Sequence, residues 1–423
     1  MKKMDYQNVK GTQDFLPEAE LIRKRVKRTL EDVFMKYGCL PLETPILNYT
    51  ELMASKYGGG AEILEEMYTL SDRGERDLAL RYDLTIPFAK VVAMNPGLKM
   101  PFKRYEIGKV FRDGPIKTGR FREFTQCDVD VVGIESQMAE AELMVMALDA
   151  FKELNLDVII QYNNRKLLVG LLEVLSVDKA HVNDVILTVD KVEKIGVEGV
   201  IKELKDKDVP ISAIDGIERF LTTYEDSSFF ERYKHNSLIQ EGLAELEELQ
   251  TYLDYLEVSD QCVFHPFLAR GLEIYTGTIY EIFLSDQTIK SSIGSGGRYD
   301  NAIGGLVGTN ETFSTVGISF GLDVIYTALE RMDQQPANEG LTDYLIVPLK
   351  TEKEALLLAR TLREQGKRVE IEMTGKKVGK ALNRANKERI KKVIILGEKE
   401  IEQNQLIVKE MATGEEVQMT FVF

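Results

Sequence analysis

Hydrophobic and polar positions change their period several times along the chain, and each change marks a part of it. From 18 to 37 the apolar positions Leu21, Ile22, Val26, Leu30, Val33 and Phe34 fall on one face of a helix, with Pro17 before it and Gly38 closing it. Pro41 and Pro45 then bracket an extended stretch. Across 64–133 short apolar or aromatic runs alternate with glycine and charged turns, as in an antiparallel sheet. Residues 134–155 return to helical spacing through Met138, Ala141, Met144, Val145, Ala147, Leu148 and Phe151, and 157–162 read as a strand. From about 166 to 256 the pattern is mostly helical and acidic, the mark of an inserted helical module. Strands resume at 270–284 and 289–299, and a helix starts near 321.

The polar stretch at 334–343, DQQPANEGLT, reads as a linker. Beyond it strands at 344–348, 368–372 and 392–396 alternate with helices at 352–365 and 375–389, which implies a small parallel or mixed α/β sheet. The expected fold class is α/β, with an α+β first domain over 1–333 that carries the 166–256 insertion. A second, α/β domain is expected over 344–423.

Composition narrows the function classes. A chain of 423 residues exceeds one compact core. It has no apolar run long enough to span a bilayer, and its basic start lacks the apolar stretch of a secretory signal. Cys39, Cys127 and Cys262 are scattered, which points to a reducing compartment, the cytoplasm. His181, His235 and His265 lack ligand spacing, so no histidine-built metal site is expected. The net charge of −15 disfavours a nucleic-acid partner, but its distribution does not. Residues 341–423 carry about +3, leaving about −18 for the rest. Within 376–392, Lys376, Lys377, Lys380, Arg384, Lys387, Arg389, Lys391 and Lys392 face the single acid Glu388. Such a cluster is either a solvated helix face or a local seat for a phosphate backbone.

Several segments carry candidate chemistry. Residues 268–281, LARGLEIYTGTIYE, have strand character toward their end but open with Arg270 against Gly271. That is either a half-buried strand with an exposed arginine or a strand lining an anion-binding cleft. In 105–133 a strand ending in Phe111 and Arg112 leads into a loop with Asp113, Gly114, Pro115 and Gly119. The return strand carries Arg120, Arg122, Gln126, Asp128 and Asp130. Period two puts Gln126, Asp128 and Asp130 on one face, where they need water or a ligand, unless the hairpin is simply exposed. Asp83 and Thr85 either hold an ammonium group together or cap a helix beginning at Pro87. The glycine-rich run at 293–300 lacks the last glycine of a dinucleotide-binding loop, and no Gly-Lys-Ser/Thr occurs.

Taken together, these segments resemble the histidyl-tRNA synthetases, a class II aminoacyl-tRNA synthetase family, over about 10–423. The stretch at 105–133 resembles class II motif 2, and 268–281 the family's histidine signature. Gly296 to Asp300 resembles its glycine-rich strand, 315–323 motif 3, and Lys36-Tyr37-Gly38 with Pro41 and Pro45 motif 1. The resemblance implies an antiparallel sheet flanked by helices, a helical insertion and a C-terminal anticodon-binding domain. It implies a ligase that activates L-histidine with ATP to the adenylate and transfers it to the 3′-terminal ribose of its tRNA. ATP is then a substrate accompanied by Mg2+, the partners are histidine, ATP and tRNA(His), and the enzyme is a homodimer with no membrane association.

By the same resemblance Arg112 and Arg270 grip the α-phosphate, and Arg120, Gln126 and Gly321 complete the ATP site. Asp83 and Thr85 hold the ammonium of histidine, Asp130 and Tyr275 its imidazole, and Gly296 and Tyr299 line the pocket. Gln126 lies near the substrate carboxylate, and Lys376, Lys377, Lys380 and Arg384 meet tRNA phosphates. Two positions depart from the pattern: Val324 stands where motif 3 has an adenine-stacking arginine, and Gly114 where motif 2 has a glutamate. Those departures favour the alternative, a synthetase-like regulatory subunit of histidine biosynthesis without tRNA charging. Arg112, Arg270 and the C-terminal domain, which such subunits typically lack, favour the enzyme.

Overall fold

The computed structural model describes residues 6–55, 61–116, 119–207, 209–224, 228–269, 274–308, 311–332 and 342–421. The chain forms two units, Met1–Met332 and Asp333–Phe423. The described strands of the first are β1 (Leu40–Pro41), β2 (Leu47–Tyr49), β3 (Thr69–Ser71), β4 (Asp77–Leu80), β5 (Phe102–Phe111), β6 (Glu123–Val132), β7 (Val158–Asn164), β8 (Cys262–Phe264), β9 (Thr278–Leu284), β10 (Gly294–Arg298) and β11 (Thr315–Gly321). Eight of them build one sheet in the order β1-β5-β6-β11-β10-β9-β7-β8, while β2, β4 and β3 form a small second sheet. The pairs β1–β5 and β7–β8 are parallel, and the other pairs of the large sheet are antiparallel.

The period-two pattern of β6 and β11 decides where the core and the site lie. Cys127, Val129 and Val131 of β6 and Val316, Ile318 and Phe320 of β11 join the main hydrophobic cluster. The Pro17–Lys36 helix covers that side with Val26, Leu30, Val33 and Phe34, and the Met138–Glu153 helix with Met144, Ala147 and Phe151. The Phe320 ring lies 5.5 Å from Phe34 and 5.6 Å from Phe151. Full burial of each such side chain is worth about 1.5–3 kcal/mol. The intervening residues, Gln126, Asp128 and Asp130 on β6 and Gly317, Ser319 and Gly321 on β11, are left to the opposite face. Their register is direct: Asp130 faces Gly317, Asp128 faces Ser319, and Gln126 faces Gly321.

Between β7 and β8 the chain is helical from Arg165–Val174 to Ser237–Tyr255, in agreement with the periodicity. These helices do not build a separate core. Val185, Leu204, Ile217, Phe220 and Leu249 belong to the same buried cluster as the sheet.

Three expectations need correction. The 64–133 stretch is not strand throughout, because Thr85–Met94 is a helix. Ile86, Pro87, Phe88, Ala89 and Val92 are buried there, and a proline in the first turn costs the helix no bond. The strand expected at 270–284 begins only at Thr278. Ahead of it Thr276 donates its backbone N–H to the Arg298 carbonyl at 2.8 Å, and 270–273 lie outside the described residues. The second unit also holds more strands than the pattern beyond 344 suggested. It has β12 (Tyr344–Pro348), β13 (Val369–Ile371), β14 (Lys392–Leu396), β15 (Gln405–Glu410) and β16 (Glu416–Thr420), in the order β13-β12-β14-β15-β16. Leu406 and Val408 of β15 are buried at period two, a signal present in the sequence. Most of the linker read at 334–343 lies outside the described residues.

A buried ion pair fastens the Met138–Glu153 helix to β10. Arg298 donates from Nε to Glu140 Oε1 at 2.6 Å and from Nη2 to Glu140 Oε2 at 2.7 Å, and Nη1 reaches the Ile134 carbonyl at 3.0 Å. Arg298→Met strands the Glu140 carboxylate and should cost about 3–5 kcal/mol in urea unfolding. Replacing both partners, Arg298→Met with Glu140→Leu, should recover most of that loss.

Candidate active site

A cavity, open at its mouth, lies on the polar face of β6, β11 and β10. Asp83, Thr85, Asp130, Tyr275, Gly296 and Tyr299 line it, together with Asp128 and Ser319. Six of the expected histidine-pocket residues, separated by more than two hundred positions in the chain, therefore meet at one place.

Asp130 is the most constrained of them. Its Oδ2 forms an ion pair with Arg104 Nη2 at 2.6 Å, and its Oδ1 accepts the Tyr299 hydroxyl. Room for that carboxylate exists because its cross-strand neighbour is glycine. An ideal Cβ on Gly317 would stand 2.0 Å from Asp130 Oδ1, far inside contact distance. Arg104 is fully buried, stacks at 4.4 Å over the Phe88 ring and donates to the Leu84 carbonyl at 3.0 Å. Burial works against its charge, yet Asp130, Asp128, Tyr299 and Glu106 raise its pKa above the usual value. Behind it Glu106 accepts Arg81 at 2.7 Å and the Thr44 backbone N–H at 2.9 Å.

Asp83 precedes the Thr85–Met94 helix and accepts the Ile86 N–H at 3.2 Å. The same carboxylate lines the cavity. Burial pushes its pKa up to about 6, against that hydrogen bond and the Arg112 charge. Burial pushes Asp128 further, to about 8, opposed by Arg104 and a hydrogen bond from Ser319 and reinforced by Asp130 and Asp83. Asp130 is also raised by burial, against Arg104 and the Tyr299 hydroxyl. Gln126 donates from Nε2 to Ser319 Oγ at 2.9 Å. The Tyr275 ring rests on Gly297, where an ideal Cβ would lie 2.9 Å from Cδ1 and φ is +157°.

The expected nucleotide residues lie along the hairpin away from Asp130. Arg112 follows β5, donates from Nε to the Tyr82 carbonyl at 3.0 Å and holds its guanidinium 5.4 Å from the Phe124 ring centroid. Arg120 is exposed, and Arg270 lies outside the described residues. Val324 packs against the main hydrophobic cluster. Gly119 and Gly321 flank it, and ideal Cβ atoms on them would meet it at 3.4 Å and 3.5 Å, ordinary contact distances. The carboxylate of Glu66 stands where a side chain at Gly114 would begin, 2.5 Å from an ideal Cβ there.

In the second unit Lys376, Lys377 and Lys380 are exposed. The Arg384 guanidinium pairs with Glu370, with Glu372 at 3.3 Å and with Glu388 at 3.0 Å. These carboxylates raise its pKa. Its place in the basic run concealed that, because Glu370 and Glu372 come from the neighbouring strand and the loop after it. Sequence reasoning also missed Arg104 and Glu106, whose signal was two charges at period two around the buried Tyr105. Among the described residues no helix is long and apolar enough to cross a membrane.

Comparison with known proteins gives a consistent result. Residues 11–325 match the family profile described as histidyl-tRNA synthetase, and 343–422 the profile described as anticodon binding domain. The chain is 57% identical to histidine–tRNA ligase 2 of Shouchella clausii, over the whole of both chains. It is 55% identical to histidine–tRNA ligase 1 of Bacillus cereus, over 98% of each. Among solved structures, the histidyl-tRNA synthetase from Nostoc sp. PCC 7120 superposes with a TM-score of 0.83 at 28% identity, covering 99% of this chain and 97% of that one.

The buried carboxylates make the stability of the ligand-free protein depend on pH. Asp83 and Asp128 hold protons in the folded chain that they release on unfolding above their ordinary value of 3.8. Their contribution to stability therefore falls as pH rises from about 4 to about 8. Asp128→Asn should raise the apparent Tm more at pH 8 than at pH 6, as thermal unfolding at the two pH values would measure.

Proposed function

The chain belongs to the histidyl-tRNA synthetase family and is a ligase that activates histidine with ATP and transfers it to tRNA; from that premise we propose how its residues divide the work. Asp130 and Tyr275 read the imidazole, Asp83 and Thr85 hold the ammonium, and Gly296 and Tyr299 form the wall between them. Gln126 attends the substrate carboxylate. Arg112 and Arg270 take the α-phosphate from two sides, with Arg120 and Gly321 on the remainder of ATP.

In the first step a carboxylate oxygen of histidine attacks the α-phosphorus, the bond to the bridging oxygen breaks, and pyrophosphate leaves. Charge on the non-bridging oxygens calls for cations fixed in advance, which two arginines supply. In the second step a hydroxyl of the terminal ribose attacks the carbonyl carbon of the adenylate, its proton is lost, and AMP leaves with the bonding pair. Magnesium bound with the nucleotide would supply charge screening at its β- and γ-phosphates.

The observation that carries this reading is the Asp130 carboxylate, fixed by Arg104 and Tyr299 at the wall of the cavity. A buried acceptor in a rigid place rejects amino acids that cannot donate to it, which is how a polar site gains selectivity. The exposed Lys376, Lys377 and Lys380 are the proposed tRNA contacts of an anticodon-binding domain over 344–423, following a catalytic domain over 1–333. Arg384 instead braces that domain. The enzyme works as a cytoplasmic homodimer in this proposal. The regulatory-subunit alternative is not better supported, since relatives matched over their full length are ligases.

Histidine-dependent exchange between ATP and pyrophosphate tests the assignment. Arg270→Ala and Arg112→Ala should each lower it at least about 100-fold while the unfolding transition stays in place. Near-normal exchange in either variant would remove that arginine from the mechanism.

A further inference from the structure

Asp128 has no role in the division of work given above, yet it stands in the middle of the cavity wall. Along β6 the residues Gln126, Asp128 and Asp130 follow one another at about 7 Å on the same face. With Gln126 at the carboxylate end and Asp130 at the imidazole end, Asp128 lies beside the part of histidine that bears the α-amino group.

Three observations mark it as an unfilled acceptor. It is 3% exposed and lines the cavity. Its Oδ1 has no hydrogen-bond partner, whereas the neighbouring Glu106 is bonded to Thr44 and Arg81. Ser319, directly across the ladder, accepts Gln126 Nε2 and keeps its own hydroxyl proton for a hydrogen bond to Asp128, so the open position on that carboxylate is Oδ1. A buried lone acceptor of this kind costs free energy until a donor arrives.

The local charge has the matching sign. Arg104 faces Asp130 and Glu106 from β5, and Arg81 pairs with Glu106. Asp83 and Asp128 remain on the cavity wall with less compensation. An ammonium carries three donors and one positive charge, and Asp83 with Thr85 supplies two acceptors.

We propose that Asp128 is the third acceptor for the α-ammonium of the bound amino acid, and that it ionises as that ammonium binds. The proposal rests on the histidine-pocket reading above. The groups facing Asp128 fix its linkage: Arg104 and Glu106 from β5, Asp130 on its own strand, Asp83 ahead of the Thr85–Met94 helix, Ser319 on β11, and Tyr299 after β10. With its pKa at about 8, Asp128 holds a proton near neutrality in the empty pocket. An arriving ammonium favours the carboxylate, so the proton leaves to solvent.

Two histidine analogues separate this role from others. Histidinol keeps the ammonium and imidazole but lacks the carboxylate. Imidazolylpropionate keeps the imidazole and carboxylate but lacks the ammonium. In titration calorimetry on the full chain, Asp128→Asn should weaken histidinol at least tenfold and leave imidazolylpropionate within about twofold. The unchanged second affinity reports an intact pocket. If Asp128→Asn does not fold, Asp128→Ser is read in the same way. Histidinol binding to the wild type near pH 7, compared in buffers of different ionisation heat, should release a proton that the variant does not release. Equal weakening of both analogues, or no weakening of histidinol, overturns the assignment of Asp128. If the wild type binds neither analogue, the histidine-pocket reading itself fails, which is a separate result.

Discussion

A carboxylate buried against a guanidinium, beneath a strand that has no side chain to spare, sets the terms for the whole site. Asp130 pairs with Arg104, accepts Tyr299 and occupies the space that a Cβ on Gly317 would need. Moving β6 against β11 by one residue would put Asp130 on the helix-covered face and Val129 or Val131 in the cavity. The apolar alternation that packs Cys127, Val129 and Val131 beneath the helices is thus the same alternation that places Asp128 and Asp130 on the cavity wall. Packing energy and binding geometry share one register.

Along the hairpin the charge of the site changes sign. The Asp130 end is rich in carboxylates that burial keeps reluctant to ionise, and it suits a cationic amino acid. The far end carries Arg112 and suits phosphates. A substrate that is cationic at its imidazole and ammonium side and joins a polyanion through its carboxylate is oriented by that gradient before any single hydrogen bond forms. The acidic net charge of the chain and the basic run after Lys376 repeat the division at larger scale, in separate units.

Much of this was legible in the sequence, for reasons that differ from element to element. The helices at Pro17–Lys36, Met138–Glu153 and Glu352–Glu364 are long and strongly periodic, so local pattern alone finds them. Asp83, Thr85, Asp130 and Tyr299 were named from motifs, and the cavity brings them together. The Thr85–Met94 helix was foreshadowed only as one reading of Pro87, because its length is near that of a strand run. Arg104 escaped notice because its meaning depends on Asp130 across the ladder, a contact without any local sign. The ion pairs of Arg384 were hidden for the same reason, its carboxylate partners coming mainly from another part of the unit. Nothing in the structure explains Val324 in place of an arginine.

The most direct test of the central claim is a crystal structure of the protein with L-histidine bound. The account predicts the imidazole within hydrogen-bond distance, about 3 Å, of the Asp130 carboxylate, with Arg104 and Tyr299 still on that carboxylate and the ammonium toward Asp83 and Thr85. Histidine seated elsewhere, or bound with its imidazole away from Asp130, would contradict it.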